Sequence, residues 1–112
     1  APPADYASRV RSGAALLVDV REPGEWLDGV AQMAAQLPLS ELRGDRSRWQ
    51  EFLATVSNRE VLLYCASGGR SGLAARVLKA EGIRAVNTGG LSDWAAVGWP
   101  VTPPSAPRTT AP

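Results

Sequence analysis

The sequence of 112 residues contains no histidine and a single cysteine, Cys65. One cysteine cannot form a disulfide within the chain, so the fold is not a disulfide-stabilised scaffold. Without histidine, and with one thiol, the chain cannot supply the usual ligands of a tetrahedral zinc site. The Ser-His-Asp triad and the Cys-His pair are excluded for the same reason. If Cys65 is a nucleophile, a group other than imidazole must favour its thiolate.

The chain also lacks an excess of charge of either sign, since 12 Lys and Arg residues balance 11 Asp and Glu residues. This balance gives no reason to expect a nucleic acid or an anionic membrane surface as a partner. Apolar runs are short, and the longest near the start, residues 14–18, cannot span a bilayer. We therefore expect a soluble protein. Its start at Ala1 suits both a processed form and an excised segment, so cytoplasm and periplasm both stay open.

The composition predicts one folded domain with a core, because 45% of the residues are apolar and 21% are charged. We place this domain at residues 5–101. Residues 1–4 are predicted to be a flexible segment. Residues 102–112, with four prolines and few apolar side chains, are predicted to be a disordered tail. A monomer is expected for a chain of this size.

Short apolar runs alternate with amphipathic segments along the domain. The predicted strands lie at residues 16–20, 35–37, 61–64 and 83–86. The predicted helices lie at residues 5–12, 45–57, 71–81 and 91–97. A further helical turn is expected to open at Pro23, and Ser47 and Gln50 have capping-box spacing in the second helix. This rhythm predicts an α/β fold of three layers, in which helices flank both faces of a central parallel β-sheet.

The segment between the third strand and the following helix carries the strongest chemical signal. Cys65 ends a buried strand, and a helix starts at Ser71. Ligands of open α/β sheets bind beyond the carboxyl ends of the strands, which is where Cys65 is expected. The residues that separate Cys65 from Arg70 are all small: Ala66, Ser67, Gly68 and Gly69. Such a turn can point its backbone N–H groups inward and form an anion-binding nest.

Three features of this segment favour the thiolate of Cys65 over the thiol. They are the inward amides, the positive N-terminal end of the following helix, and the permanent charge of Arg70. Together they predict that the pKa of Cys65 lies below that of a free thiol, without any histidine. Two alternatives stay open. Cys65 could instead serve as a small buried apolar residue of the core. Arg70 could point outward or form an ion pair with a carboxylate such as Asp19 or Glu25.

Three segments of the chain resemble the rhodanese family of sulfurtransferases. They are Leu-Val-Asp-Val-Arg-Glu-Pro-Gly-Glu-Trp at 17–26, Cys-Ala-Ser-Gly-Gly-Arg-Ser at 65–71, and Gly-Gly-Leu-Ser-Asp-Trp at 89–94 with Gly-Trp-Pro-Val at 98–101. Pro-Leu-Ser-Glu-Leu at 38–42 is also similar. The resemblance runs from Asp5 to Val101 and implies a rhodanese-like three-layer fold for this domain.

The resemblance also implies a function, that of a thiosulfate sulfurtransferase. The Cys65 thiolate would attack the outer sulfur of thiosulfate or a similar donor, release sulfite and carry a persulfide, which cyanide or a thiol would discharge. Cys65 is then the catalytic residue. The substrate-binding residues are those of the loop: Ala66, Ser67, Gly68, Gly69, Arg70 and Ser71. No metal or organic cofactor is implied; the partners are a small anionic donor and a thiol, cyanide or protein acceptor.

The sequence departs from the family pattern after the first turn. Gly29 is followed by Val-Ala-Gln-Met-Ala where the family often has His-Ile-Pro-Gly-Ala, so a rearranged turn is expected over 29–36. A second cation near the site is not assigned, and we interpret Arg21 and Asp19 as structural. Of the four tryptophans, Trp49 and Trp94 are predicted to lie in the core. The other two, Trp26 and Trp99, are predicted to be partly exposed packing residues.

Two other functions are compatible with the loop. A phosphatase or arsenate reductase of related fold also uses a Cys thiolate and an Arg, but with five intervening residues. Cys65 and Arg70 are separated by four, and the shorter loop favours a terminal sulfur over a tetrahedral oxyanion. A persulfide-relay or regulatory module that acts with a protein partner would keep the same loop and differ in its turnover with small thiols.

Overall fold

The computed structural model describes residues 3–104, so the outer parts of the predicted flexible segment and tail, 1–2 and 105–112, lie outside the described residues. The described helices are α1 (Pro3–Ser12), α2 (Pro23–Trp26), α3 (Leu39–Leu42), α4 (Ser47–Leu53), α5 (Gly69–Ala80) and α6 (Leu91–Ala96). The described strands are β1 (Ala15–Asp19), β2 (Val30–Ala31), β3 (Ala35–Gln36), β4 (Glu60–Cys65), β5 (Ala85–Gly90) and β6 (Val101–Thr102).

Four of these strands form a parallel sheet in the order β3-β1-β4-β5. In the central pair, Leu17 of β1 lies opposite Leu62 of β4, and Val61 of β4 lies opposite Ala85 of β5. The strands β2 and β6 form a separate antiparallel pair, with Val30 opposite Thr102. The sheet therefore brings the carboxyl ends of β1, β3 and β4 to one edge, where Cys65 is the last residue of β4.

Alternate residues of the central strands enter two cores, one on each face of the sheet. Val18 and Leu63 pack with Trp49 and Leu78, from α4 and α5, on one face. On the other face, residues of β1 and β4 pack with residues from α1 and α6: Val10, Leu17, Leu62, Tyr64 and Trp94. This arrangement confirms the predicted α/β fold, with helices on both faces of a central parallel sheet.

Several predicted boundaries are corrected by the structure. The first helix begins at Pro3 rather than Asp5, because proline suits a first helical turn that needs no N–H donor. Thr102, predicted to belong to the tail, extends β6 through its pairing with Val30. The last strand of the parallel sheet lies at Ala85–Gly90 instead of 83–86, and its polar second half pairs with β4 despite lacking an apolar pattern.

The helix predicted over 45–57 is shorter, and its predicted capping box is absent. Asp45 Oδ1 accepts hydrogen bonds from the backbone N–H and the hydroxyl of Ser47, which makes Ser47 the first residue of α4. The helix ends at Leu53, and Val56 reaches the core from the turn that follows. Left-handed backbone at Ser57 and Asn58, with φ of 51° and 65°, separates this turn from β4.

The tryptophans pack more deeply than the sequence predicted. Trp49 and Trp94 are fully buried, which confirms their assignment to the core. Trp26 and Trp99, expected to be partly exposed, are 7% and 3% exposed. The Trp99 ring packs edge-to-face against Trp94, and its indole N–H donates to the carbonyl of Gln32, which fixes the turn after β2. Within residues 3–104, no helix is both long and apolar enough to cross a membrane.

Candidate active site

Cys65 occupies the carboxyl end of β4, at the place predicted from the sequence. Its side chain packs in the apolar cluster on the α5 face of the sheet, and the residue is 1% exposed. Burial alone would fit a small apolar residue, which was one of the open alternatives. Its Sγ, however, accepts hydrogen bonds from two residues of the following turn, Gly68 and Ser71. The sulfur therefore has polar donors beside it at the edge of an apolar core.

The turn after Cys65 aims its donors at the sulfur. The backbone N–H of Gly68 donates to Sγ at 3.0 Å, and Ser71 Oγ lies 3.4 Å from Sγ. Gly68 adopts a φ of 104°, in the left-handed region that glycine enters without steric cost. The helix α5 begins at Gly69, two residues earlier than predicted, so Ser71 lies within its first turn.

The remaining predicted loop residues complete this turn. The backbone of Ser67 adds to the hydrogen bonding of Cys65. The carbonyl of Ala66 lies against Gly90, the residue of β5 that is opposite Cys65, and a Cβ at Gly90 would overlap with that oxygen. Gly69 begins α5 with open space around its Cα. A side chain at position 90 is thus excluded by the path of the loop.

These contacts set the ionisation of Cys65. Burial acts to raise its pKa, because it removes water from the charged form. Hydrogen bonds from the hydroxyl and backbone of Ser71, and from the backbone of Ser67 and Gly68, outweigh burial, and the pKa lies below that of an ordinary thiol. Groups within the loop therefore lower the pKa of Cys65 without histidine, which is the direction predicted from the sequence.

Arg70 forms an ion pair with Glu25 of α2, one of the arrangements left open by the sequence. Its Nη1 lies 2.5 Å from Oε1 and its Nη2 lies 2.8 Å from Oε2, and both side chains are 36% exposed. The hydrogen bond from Arg70 is the main reason that the pKa of Glu25 falls to about 2. In turn, the bond to Glu25, and to a lesser degree the charge of the Cys65 thiolate, raises the pKa of Arg70.

Asp19 and Arg21 form a buried ion pair, as predicted, and not a second cationic site. Arg21 donates to Asp19 through Nε and Nη2, and to the backbone carbonyls of Glu25 and Gly29. Tyr64 donates to Asp19 Oδ2 at 2.7 Å and accepts the N–H of Ala31 at 2.8 Å. Burial, followed by the negative charge of Asp19, raises the pKa of Tyr64, so Tyr64 stays protonated. The network fixes α2, and with it Glu25, relative to the end of β4.

One residue of the site was not predicted from the sequence. Asn87 of β5 contacts both Gly68 and Ser71, the residues that hydrogen-bond to Sγ. A polar residue close before Gly89-Gly90 was its only signal in the sequence, and the predicted strand ended at Val86, one residue before Asn87 and four residues before the end of β5. In the part of the chain that the structure describes, no three Cys, Asp or Glu side chains cluster as ligands for a metal ion.

Comparisons with known proteins agree with this architecture. The family model for the rhodanese-like domain matches residues 2–97. A sulfurtransferase of Allochromatium vinosum is 37% identical over 91 residues, which cover 80% of this chain and 79% of that protein. An uncharacterized protein of Synechocystis is 36% identical over 89 residues, 78% of this chain, and the chain spans only 46% of that relative's length. The crystal structure of a rhodanese-related protein from Thermoplasma volcanium superposes with a TM-score of 0.74 at 30% identity, covering 91% of this chain and 95% of that one. The chain therefore belongs to the family of rhodanese-like domains.

Proposed function

We propose that the protein is a sulfurtransferase that moves a sulfane sulfur from a small anionic donor such as thiosulfate to a thiol or cyanide. The observation that carries this proposal is the pair of donors to Cys65 Sγ, the Gly68 N–H at 3.0 Å and the Ser71 hydroxyl at 3.4 Å, which lower the pKa of the thiol. Family membership and the sulfurtransferase of A. vinosum support the same class of reaction.

The reaction proceeds in two displacements at sulfur. The Cys65 thiolate attacks the outer sulfur of thiosulfate, a new S–S bond forms, and the S–S bond of the donor breaks as sulfite leaves with its electron pair. Negative charge then lies on the outer sulfur of the Cys65 persulfide. An acceptor thiolate or cyanide attacks that outer sulfur, the persulfide bond breaks, and the electron pair returns to Sγ. Hydrogen-bond donors stabilise the negative charge on the outer sulfur, and we assign this role to the backbone amides of the turn from Ala66 to Ser71.

The proposal assigns distinct roles to the loop residues. Gly68 and Ser71 donate to the sulfur of Cys65, and the backbone of Ser67 adds to this hydrogen bonding. Ala66 and Gly69 are assigned to the path of the turn. Arg70 contributes a charge that Glu25 partly neutralises. The sequence contains no second cysteine, so the persulfide is discharged by an acceptor outside residues 1–112, either a small molecule or a thiol of another protein.

Mass spectrometry after incubation with thiosulfate tests the proposal. We expect one added sulfur atom on the peptide that contains Cys65, and its removal by cyanide with formation of thiocyanate. The control variant Cys65→Ser should carry no adduct, and its retention of one would refute the mechanism. Parallel assays with a phosphomonoester and with arsenate address the alternative reactions. Faster turnover of either than of thiosulfate would replace sulfur transfer as the assigned function.

A further inference from the structure

We propose that Asn87 is a positioning residue that controls the direction of the Ser71 hydroxyl. The hydroxyl donates its hydrogen bond either to the sulfur of Cys65 or to the amide oxygen of Asn87. The proposal rests on the proposed function, in which negative charge alternates between Sγ and an outer sulfur atom. Asn87 lies opposite Leu63 in the parallel sheet, close to the carboxyl end of β4. Its side chain is part of neither apolar core.

The contacts of Asn87 determine the orientation of its amide group. Oδ1 lies 3.0 Å from the N–H of Gly89, which can only donate, and Nδ2 lies 2.9 Å from the carbonyl oxygen of Gly68, which can only accept. Exchanging the amide oxygen and nitrogen would therefore break both bonds. Oδ1 also lies 2.7 Å from Ser71 Oγ. Because Oδ1 carries no hydrogen, the proton in this short bond comes from Ser71.

Ser71 has a single hydroxyl proton and more than one acceptor within reach. Oδ1 of Asn87 is the nearest at 2.7 Å, whereas Sγ of Cys65 lies at 3.4 Å and the carbonyls of Gly68 and Gly89 at 3.3 and 3.4 Å. Ser71 is fully buried, so the choice lies among these protein groups. While Cys65 is a neutral thiol, the Ser71 hydroxyl donates its hydrogen bond to Asn87 Oδ1. Once Cys65 ionises, the charged sulfur becomes the stronger acceptor and the hydroxyl turns toward it.

This arrangement matches the movement of charge in sulfur transfer. When Sγ attacks the donor, negative charge moves to the outer sulfur. The Ser71 hydroxyl can then turn back and donate its hydrogen bond to Asn87 Oδ1. Oδ1 keeps the N–H of Gly89 in both states, so neither orientation leaves a buried donor or acceptor without a partner. Asn87 thus limits how strongly Ser71 stabilises the thiolate. Without Asn87, we expect more thiolate but a slower attack by each thiolate.

The thiolate-to-thiol ratio of Cys65 tests the proposal without any sulfur donor. It is read from the ultraviolet absorbance of the thiolate, with each variant corrected by the same variant carrying Cys65→Ser. At a fixed pH below the titration midpoint, Asn87→Ala should raise the ratio about fivefold, since a hydrogen bond to a charged group is then no longer shared. In a Ser71→Ala background the same substitution should leave the ratio unchanged. Val86→Ala is the matched control, because this neighbouring residue packs against the core on the α1 and α6 face and is not in contact with Ser71.

Two results would overturn the proposal. One is a ratio that stays equal or falls in Asn87→Ala; the other is a change of equal size with and without the Ser71 hydroxyl. A purely structural role would lower the Tm and leave the ratio unchanged.

If Asn87→Ala does not fold, Asn87→Asp replaces it. Asn87→Asp should lower the thiolate-to-thiol ratio, because its carboxylate accepts a stronger hydrogen bond from the Ser71 hydroxyl. Part of that decrease should vanish in the Ser71→Ala background. Equal decreases in both backgrounds count against the proposal. Absence of a thiosulfate adduct on the wild-type protein would instead refute the proposed function, which separates the two failures.

Discussion

Replacing Glu25 by glutamine should make the protein less stable and its thiol more acidic at the same time. The substitution removes the negative member of the ion pair with Arg70, whose N–O distances are 2.5 and 2.8 Å. Glutamine keeps a carbonyl oxygen for the N–H of Glu22, which Glu25 accepts at 3.0 Å at the start of α2. The variant therefore removes a charge from beside the loop while preserving the local helical turn.

The expected loss of stability is about 1 kcal/mol. The pKa of Glu25 falls from 4.5 to about 2, which corresponds at face value to roughly 3.4 kcal/mol. Both side chains are 36% exposed, and pairs this open to solvent contribute at most about 1 kcal/mol when measured. A loss of that size lowers the Tm of a domain of roughly 100 residues by about 4–8 °C.

The sign of the pH dependence follows from the direction of this shift. Because the pKa of Glu25 is lower in the folded state, its contribution is complete above pH 4.5 and is lost as the pH falls toward 2. Urea denaturation at pH 7 should therefore separate wild type from Glu25→Gln, and the difference should shrink at pH 3. A difference that is equal at both values would mean that the Glu25 carboxylate is not the stabilising group.

The effect on the thiol has the opposite sign. Without Glu25, the charge of Arg70 acts on Cys65 uncompensated, and a partly screened unit charge contributes about 0.5–1 kcal/mol, or a two- to fivefold rise in the thiolate-to-thiol ratio. Arg70→Gln in the same background should restore the ratio to near the wild-type value. Glu41→Gln, which breaks the exposed pair with Arg48, removes one carboxylate elsewhere and should leave the ratio unchanged. A ratio in Glu25→Gln at or below that of wild type would refute an electrostatic role for Arg70.

Two further substitutions test the packing around the site. Gly90→Ala should slow sulfur uptake from thiosulfate more than about tenfold with an unchanged far-ultraviolet circular dichroism spectrum, because its Cβ would displace the Ala66 carbonyl and the loop with it; uptake at the wild-type rate would contradict the steric argument. Tyr64→Phe should lower the free energy of unfolding by about 1–3 kcal/mol in urea titrations, since Asp19 loses a donor and the buried N–H of Ala31 loses its acceptor. No loss would mean that water or a shifted side chain replaces the hydroxyl.

The parts of the fold that could be predicted from the sequence are those set by local pattern. The runs at β1 and β4 are apolar on both faces because both faces of the sheet are covered, and the alternation of strands and helices then requires parallel pairing. The short pair β2 and β6 gave no such signal, since it is held by long-range contacts. Trp99 reaches the carbonyl of Gln32 across the chain, and Val30 pairs with Thr102. No local pattern of two residues can indicate a partner so far away in the sequence.

In the candidate site, too, the residues set by local pattern could be predicted from the sequence, and their long-range partners could not. Cys65, the left-handed Gly68 and the helix start near Ser71 lie within seven consecutive residues, so turn chemistry and helix electrostatics predicted them together. The partners that determine what those residues do come from other strands and helices. Glu25 reaches Arg70 from α2 and lowers the net charge beside the thiol, while Asn87 holds Ser71 from β5. The sequence could thus indicate that the loop favours an anion, whereas how strongly it does so depends on two side chains that only the folded sheet brings to it.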